Sequence, residues 1–86
     1  MDNPFFIYAL VSQFDGRIYV GMSQDIDRRL TEHNAGKVKS TKGFVPWVLF
    51  FKELAGNAEQ ARTREKYYKA ASGKKKLKAI LQAKVS

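Results

Sequence analysis

Residues 62–86 carry nine lysines and arginines and a single acid, Glu65. Ala58, Ala61, Glu65 and Tyr68 are spaced three, four and three apart, which places them on one inward-facing stripe of a helix. A carboxylate on such a stripe is costly to bury alone, so it calls for a cation partner or a metal ion. A neighbouring Arg or Lys would satisfy it as well as a metal would, and periodicity leaves both open. Arg29 and His33 stand four apart on an earlier segment, one helical turn above the other, beside the apolar positions Ile26 and Leu30. Guanidinium and imidazole groups neutralise anions and carry protons, although a histidine near a helix C-terminus can also serve simply as a cation on the dipole. Tyr8 and Tyr19 each lie in a strand-like run. Isolated strand tyrosines are usually core residues with one satisfied hydroxyl. Two phenols near an arginine, a histidine and a lone acid form a polar constellation in an otherwise apolar sheet.

The elements that must position these groups are readable. Phe5 to Val11 is apolar on both alternating faces and reads as a central strand covered on both sides. Asp15-Gly16 signals a tight turn, and Arg17 to Met22 returns antiparallel. Ser23 is expected to cap a helix starting at Gln24, with Asp25 and Asp27 near its positive end, and the helix should stop around Asn34-Ala35-Gly36. Within it Arg28 is rotated away from Arg29 and can pair with Asp25 or Glu32. Residues 36–45 form a polar loop with Lys37, Lys39 and Lys42, after which Pro46 opens a third strand, Trp47 to Phe51. Asn57 with Gln60 reads as a capping box for a helix reaching about Ala71 and ending at Ser72-Gly73. A final basic helix from Lys74 to Lys84 puts Leu77, Ile80, Leu81 and Val85 on one face. The order ββαβαα, with three antiparallel strands flanked by helices, is an α+β fold.

Composition narrows the chemistry. At 86 residues, with 44% hydrophobic and 13% aromatic content, the chain fits a single globular domain over 1–86, with a modest core. It has no cysteine and one histidine, which rules out disulfides, thiolate zinc and multi-histidine metal sites within it. Mg²⁺ or Mn²⁺ remains possible, because an oxygen-ligated ion needs only one or two carboxylates. The start Met1-Asp2-Asn3-Pro4 does not read as a signal peptide, and no apolar run is long enough to span a bilayer, so a cytoplasmic location is expected. The net charge of +8 resides wholly in the C-terminal third, since the first 61 residues balance. Such asymmetry suits a nucleic-acid backbone, although a solvated basic face would look the same.

These residues resemble the GIY-YIG nuclease superfamily. Phe6-Ile7-Tyr8 stands where the family has Gly-Ile-Tyr, and Tyr19-Val20-Gly21 where it has Tyr-Ile-Gly. The family arginine lies ten residues after the second tyrosine, at Arg29, with a His or Tyr four residues later, at His33. The family's metal-binding glutamate, often preceded by Arg, falls on Arg64-Glu65. The resemblance spans about residues 5–80 and is to a small stand-alone member, similar to the N-terminal nuclease domain of a bacterial excinuclease. Phe6 departs from the family glycine, and Met22 replaces a lysine that some members carry. The C-terminal Asn or Lys that some members use has no evident counterpart.

What the resemblance implies is a metal-dependent DNA endonuclease leaving 5′-phosphate and 3′-hydroxyl ends. Tyr8, Tyr19, Arg29, His33 and Glu65 would be catalytic, with Glu65 holding one Mg²⁺ or Mn²⁺. Tyr19 would be the general base, helped by Tyr8 or His33 as proton relay and by Arg29. DNA would be the partner, contacted by Lys37, Lys39, Lys42, Lys74, Lys75 and Lys76, and a protein partner could supply recognition. DNA repair, recombination and restriction all remain compatible. The alternative is a non-catalytic or partner-dependent DNA-binding module on the same scaffold.

Overall fold

A computed structural model of the chain describes residues 3–85, without the side chain of Val85, so that position's place on the apolar face lies outside the described residues, as do Met1 and Asp2. The elements are β1 (Phe5–Ser12), β2 (Ile18–Ser23), α1 (Ile26–Asn34), a 3-10 turn (Lys42–Phe44), β3 (Trp47–Gly56), α2 (Ala58–Lys69) and α3 (Ala71–Val85). The order is ββαβαα and the three strands form one antiparallel sheet, β2-β1-β3, as expected.

β1 is the central strand, and its alternation builds two layers. Ile7 and Ala9 join Val20, Phe50, Ala61, Tyr68 and Leu77 in the core beneath α2 and α3. Tyr8 and Leu10 point the other way, to Trp47 and to Ile26 and Leu30 of α1. A strand buried on both faces is apolar throughout, which is why Phe5 to Val11 lacks polar alternation.

Three boundaries differ from the sequence reading. α1 is capped by Asp25, whose Oδ1 accepts from the Arg28 amide at 3.1 Å; Ser23 instead bonds Asp25 itself, through both its amide and its carbonyl at 3.0 Å. The carboxylate lies closer to the positive helix end and takes the cap. β3 runs five residues beyond Phe51, because Lys52, Glu53 and Leu54 pair with Tyr8, Ile7 and Phe6 across the ladder. It is an edge strand, so polar residues on its outer side cost little.

The third difference is that Ser72-Gly73 does not end α2. The helix stops at Lys69, extended Ala70 makes the joint, and Gly73 sits in the first turn of α3. A Cβ on Gly73 would collide with the Tyr67 carbonyl oxygen and Tyr68 Cα. The glycine is there to let the two helices touch rather than to break one. The Asn57/Gln60 capping box is present in full.

Candidate active site

On the α1 face a buried chain of hydrogen bonds runs from the sheet into the loop before β3. The Tyr8 hydroxyl lies 3.0 Å from His33 Nε2, and His33 Nδ1 lies 2.8 Å from Thr41 Oγ1. Tyr8, His33 and Thr41 are all essentially inaccessible to solvent. Thr41 Oγ1 also lies 3.4 Å from the Val38 carbonyl; with its hydroxyl proton turned there, Thr41 accepts from His33. In that arrangement the proton of the neutral ring is on Nδ1 and Nε2 accepts from Tyr8; the other tautomer reverses both bonds. Burial, and then the charge of Arg29, lowers the imidazole pKa below its usual 6.5, so the ring is neutral at pH 7. His33 is therefore a core histidine bonded at both nitrogens, not a surface cation on the helix dipole. Burial, followed by the neighbouring Tyr19, pushes the Tyr8 phenol up to about 12, while a hydrogen bond and the charge of Arg29 pull the other way.

Tyr19 completes the cluster from β2. Leu10 pairs with Tyr19 and Tyr8 with Gly21, so the two tyrosines are diagonal neighbours on one face. Their ring centroids are 6.3 Å apart, and the Tyr19 ring meets His33 edge-on at 4.8 Å and Trp47 at 6.2 Å. The Tyr19 hydroxyl belongs to no link of the Tyr8–His33–Thr41 chain, and the side chain is only partly buried. Gly21 makes the arrangement possible. A Cβ there would stand 2.5 Å from the Tyr8 hydroxyl and 3.1 Å from the Tyr19 ring. Arg29 donates to Glu32 Oε1 at 3.0 Å and faces both phenols; Glu32, then Tyr8, hold its charge in place. Arg28 turns outward and pairs with Glu32 at 3.5 Å, as its position on the helix suggested.

The loop is fastened around this cluster. Asn34 clamps the start of β3, donating to the Trp47 carbonyl at 3.0 Å and accepting from its amide at 2.6 Å. The Trp47 indole donates to the Thr41 carbonyl at 3.0 Å. Thr41 was missed in the sequence, where a threonine in a lysine-rich loop carries no periodicity; only the fold brings it beneath His33.

Glu65 stands apart. It projects from α2, the helix on the opposite layer, between fully buried Ala61 and Tyr68, and its side chain keeps 22% exposure. Its Oε2 lies 3.6 Å from Lys69 one turn on, so the cation partner allowed by the stripe argument exists. Its charge still reaches the cluster and adds to the rise of the Tyr8 pKa. Among the described residues no three acidic, histidine or cysteine side chains converge as a ready metal cage. A single partly exposed carboxylate with one oxygen outside the ion pair suits an ion that keeps most of its water.

Arg64, beside it in sequence, does a different job. It grips Glu53 of β3 through two bonds of 2.8 and 3.1 Å and reaches the Tyr68 hydroxyl at 3.2 Å. The pair locks α2 to the sheet.

The basic candidates separate. Lys37, Lys39 and Lys42 are exposed on the loop that carries Thr41. Lys74 borders a hollow with Tyr19, whereas Lys76 lies 5.8 Å over the Tyr68 ring, on the side of Glu53. Lys75 is exposed on α3.

Against known proteins, the GIY-YIG catalytic domain matches residues 4–78. The chain belongs to the GIY-YIG family. That membership implies a nuclease-type function, and with it a DNA substrate; GIY-YIG nucleases generally use a divalent metal. Among relatives, this GIY-YIG chain is similar to a UPF0213 protein of Streptococcus agalactiae, 34% identical over 82 residues, covering 94% of this chain and 92% of that one. A UPF0213 protein of Staphylococcus saprophyticus is 38% identical over 76 residues, 87% of this chain and 92% of the relative. A third, from Bacillus licheniformis, is 34% identical over 79 residues, 91% and 80% of the two. No solved structure matches it. No helix among the described residues is long and apolar enough to cross a membrane.

Proposed function

We propose that this protein is an endonuclease that hydrolyses DNA phosphodiester bonds with one divalent ion, Mg²⁺ or Mn²⁺, leaving 5′-phosphate and 3′-hydroxyl ends. The observation that carries the reading is the convergence of Tyr8, Tyr19, Arg29 and His33 on one sheet face, with the charge of Glu65 felt at Tyr8. Glu65 is the residue that would hold the ion. When bound, the ion supplies positive charge to the scissile phosphate and to the departing 3′-oxygen.

The remaining steps belong to the side chains. Tyr19, partly exposed and outside the buried bond chain, is placed to take a proton from the attacking water. Tyr8, kept protonated by burial, donates to His33 and leaves its oxygen lone pairs to accept from the Tyr19 side. Arg29 sits against both phenols, where it neutralises charge that builds on the phosphate. Thr41 holds His33 in the tautomer that can accept from Tyr8.

The tautomer is directly testable. The chain has one histidine, so its ring ¹⁵N signals need no assignment. Wild type should show a protonated Nδ1 and an unprotonated Nε2 at neutral pH. Thr41→Val should shift the ring towards the Nε2–H form, and Thr41→Ser should restore it. An unchanged Nδ1–H pattern in Thr41→Val would remove Thr41 from the relay.

One observation favours the second reading, a DNA-binding module without turnover of its own: Lys69 already neutralises Glu65, so an ion must compete with an ammonium group. Mg²⁺-dependent cleavage assays on branched, flapped, single- and double-stranded DNA separate the two readings.

A further inference from the structure

The two edges of the sheet differ in chemistry. Three hollows border β2, and two of them share lining residues. The first, of about 410 Å³, lies between the start of α1 and the end of β2 and is lined by Met22, Asp25, Arg28, Arg29 and Glu32, so its two arginines are balanced by acids. The second, of about 310 Å³, is bounded by Ile18, Tyr19, Val20, Lys69 and Lys74. The third, of about 910 Å³, shares Ile18 and Lys74 with the second and continues past Lys78 to Arg17 at the hairpin turn. Lys74 and Lys78 are four apart on α3, one turn and ~6 Å along its axis, and so present two ammonium groups in a row. Neither forms an ion pair among the described residues, whereas Arg17 is balanced by Asp15 at 2.8 Å and stacks 3.4 Å from the Phe44 ring centroid. The groove at the opposite edge, along β3, is lined by Val48, Leu49, Phe50, Phe51, Ile80 and Leu81, and is mainly apolar.

We infer that the free edge of β2 is the track for the sugar-phosphate backbone of a DNA strand, running from Tyr19 to Lys74 and Lys78. The two ammonium groups without an ion pair, Lys74 and Lys78, line the joined second and third hollows and concentrate a polyanion there, and each phosphate neutralised releases counterions. Tyr19 and Lys69, the partner of Glu65, border the second hollow, so a strand held by Lys74 and Lys78 passes the candidate base. This places Lys74 and Lys78 in contact with DNA. It leaves Lys75, which lines none of these hollows, and Lys84, at the β3 edge, out of contact. The inference deepens the nuclease reading and rests on its assignment of DNA as substrate, but not on hydrolysis.

The test uses two double variants of equal charge, Lys74→Gln/Lys78→Gln and Lys75→Gln/Lys84→Gln. Binding of a fluorescein-labelled DNA duplex is followed by anisotropy across a salt series, with chelator present so that nothing is cleaved. Loss of two phosphate contacts should flatten the plot of log K against log salt by about 1 to 2 in slope for the first variant. The second should keep the wild-type slope. Equal slopes for the two variants, or no wild-type binding, would overturn the track. Because the assay reads binding alone, the expected slopes from a protein that never cleaves DNA with Mg²⁺ would leave the track standing and remove only the hydrolytic reading.

Discussion

Tyr19→Phe should lower Mg²⁺-dependent DNA cleavage by about 100- to 10,000-fold, the range spanned by loss of a general base. The substitution deletes one oxygen and keeps the ring, so its edge-on contacts with His33 and Trp47 survive. Its hydroxyl takes no part in the buried Tyr8–His33–Thr41 chain, so stability and DNA affinity should change little. Tyr8→Phe is the instructive comparison. It strips His33 Nε2 of its buried donor, and should cost both stability and activity, because a buried acceptor is left unpaired. Full cleavage by Tyr19→Phe, measured as initial rates alongside its binding curve, would show that the base lies elsewhere.

Gly21→Ala should damage the site directly. The added methyl meets the Tyr8 hydroxyl at 2.5 Å and its ring carbon at 2.6 Å, with Tyr19 close behind at 3.1 Å. Tyr8 cannot swing away freely, since it is buried beneath α1 and bonded to His33. Overpacking of this kind costs ~1–3 kcal/mol, and relief by moving Tyr8 breaks the relay instead. Urea denaturation together with the His33 ring ¹⁵N spectrum distinguishes the two routes: a lower midpoint with the tautomer kept, or a tautomer change with less loss of stability. A variant with wild-type midpoint and wild-type spectrum would show that Gly21 is not needed for the close approach. The glycine of the second motif thus has a steric explanation: it is the floor under the first motif's tyrosine.

Much of this is written locally in the chain. The two strands, the Asp15-Gly16 turn and the Ile26/Leu30 stripe depend on neighbours in sequence, and alternation alone puts Tyr8 opposite Ile7 on β1. The coincidence of Arg29 and His33 on one helical side follows from a spacing of four. What the sequence hides depends on contacts between distant segments. Thr41 supports His33 only because the loop folds back under α1 and is pinned by Trp47 and Asn34. Glu53 extends β3 because Arg64 on the next helix neutralises it, so a polar strand end reads as loop until its partner is known. Gly73 reads as a helix stop, yet it serves the packing of α3 on α2. Three consecutive lysines look equivalent in sequence, but a helix turns each by a different angle, and only Lys74 reaches the hollow beside Tyr19.

The central claim is that Glu65 supports metal-dependent hydrolysis at the edge of β2. The direct measurement is nicking of supercoiled DNA by wild type and Glu65→Gln in chelator and then across a Mg²⁺ titration. The account predicts no nicking by either protein in chelator, Mg²⁺-dependent nicking by wild type, and none by Glu65→Gln at any Mg²⁺ concentration while its DNA binding persists. Nicking by Glu65→Gln at the wild-type rate, or wild-type nicking indifferent to Mg²⁺, would contradict it.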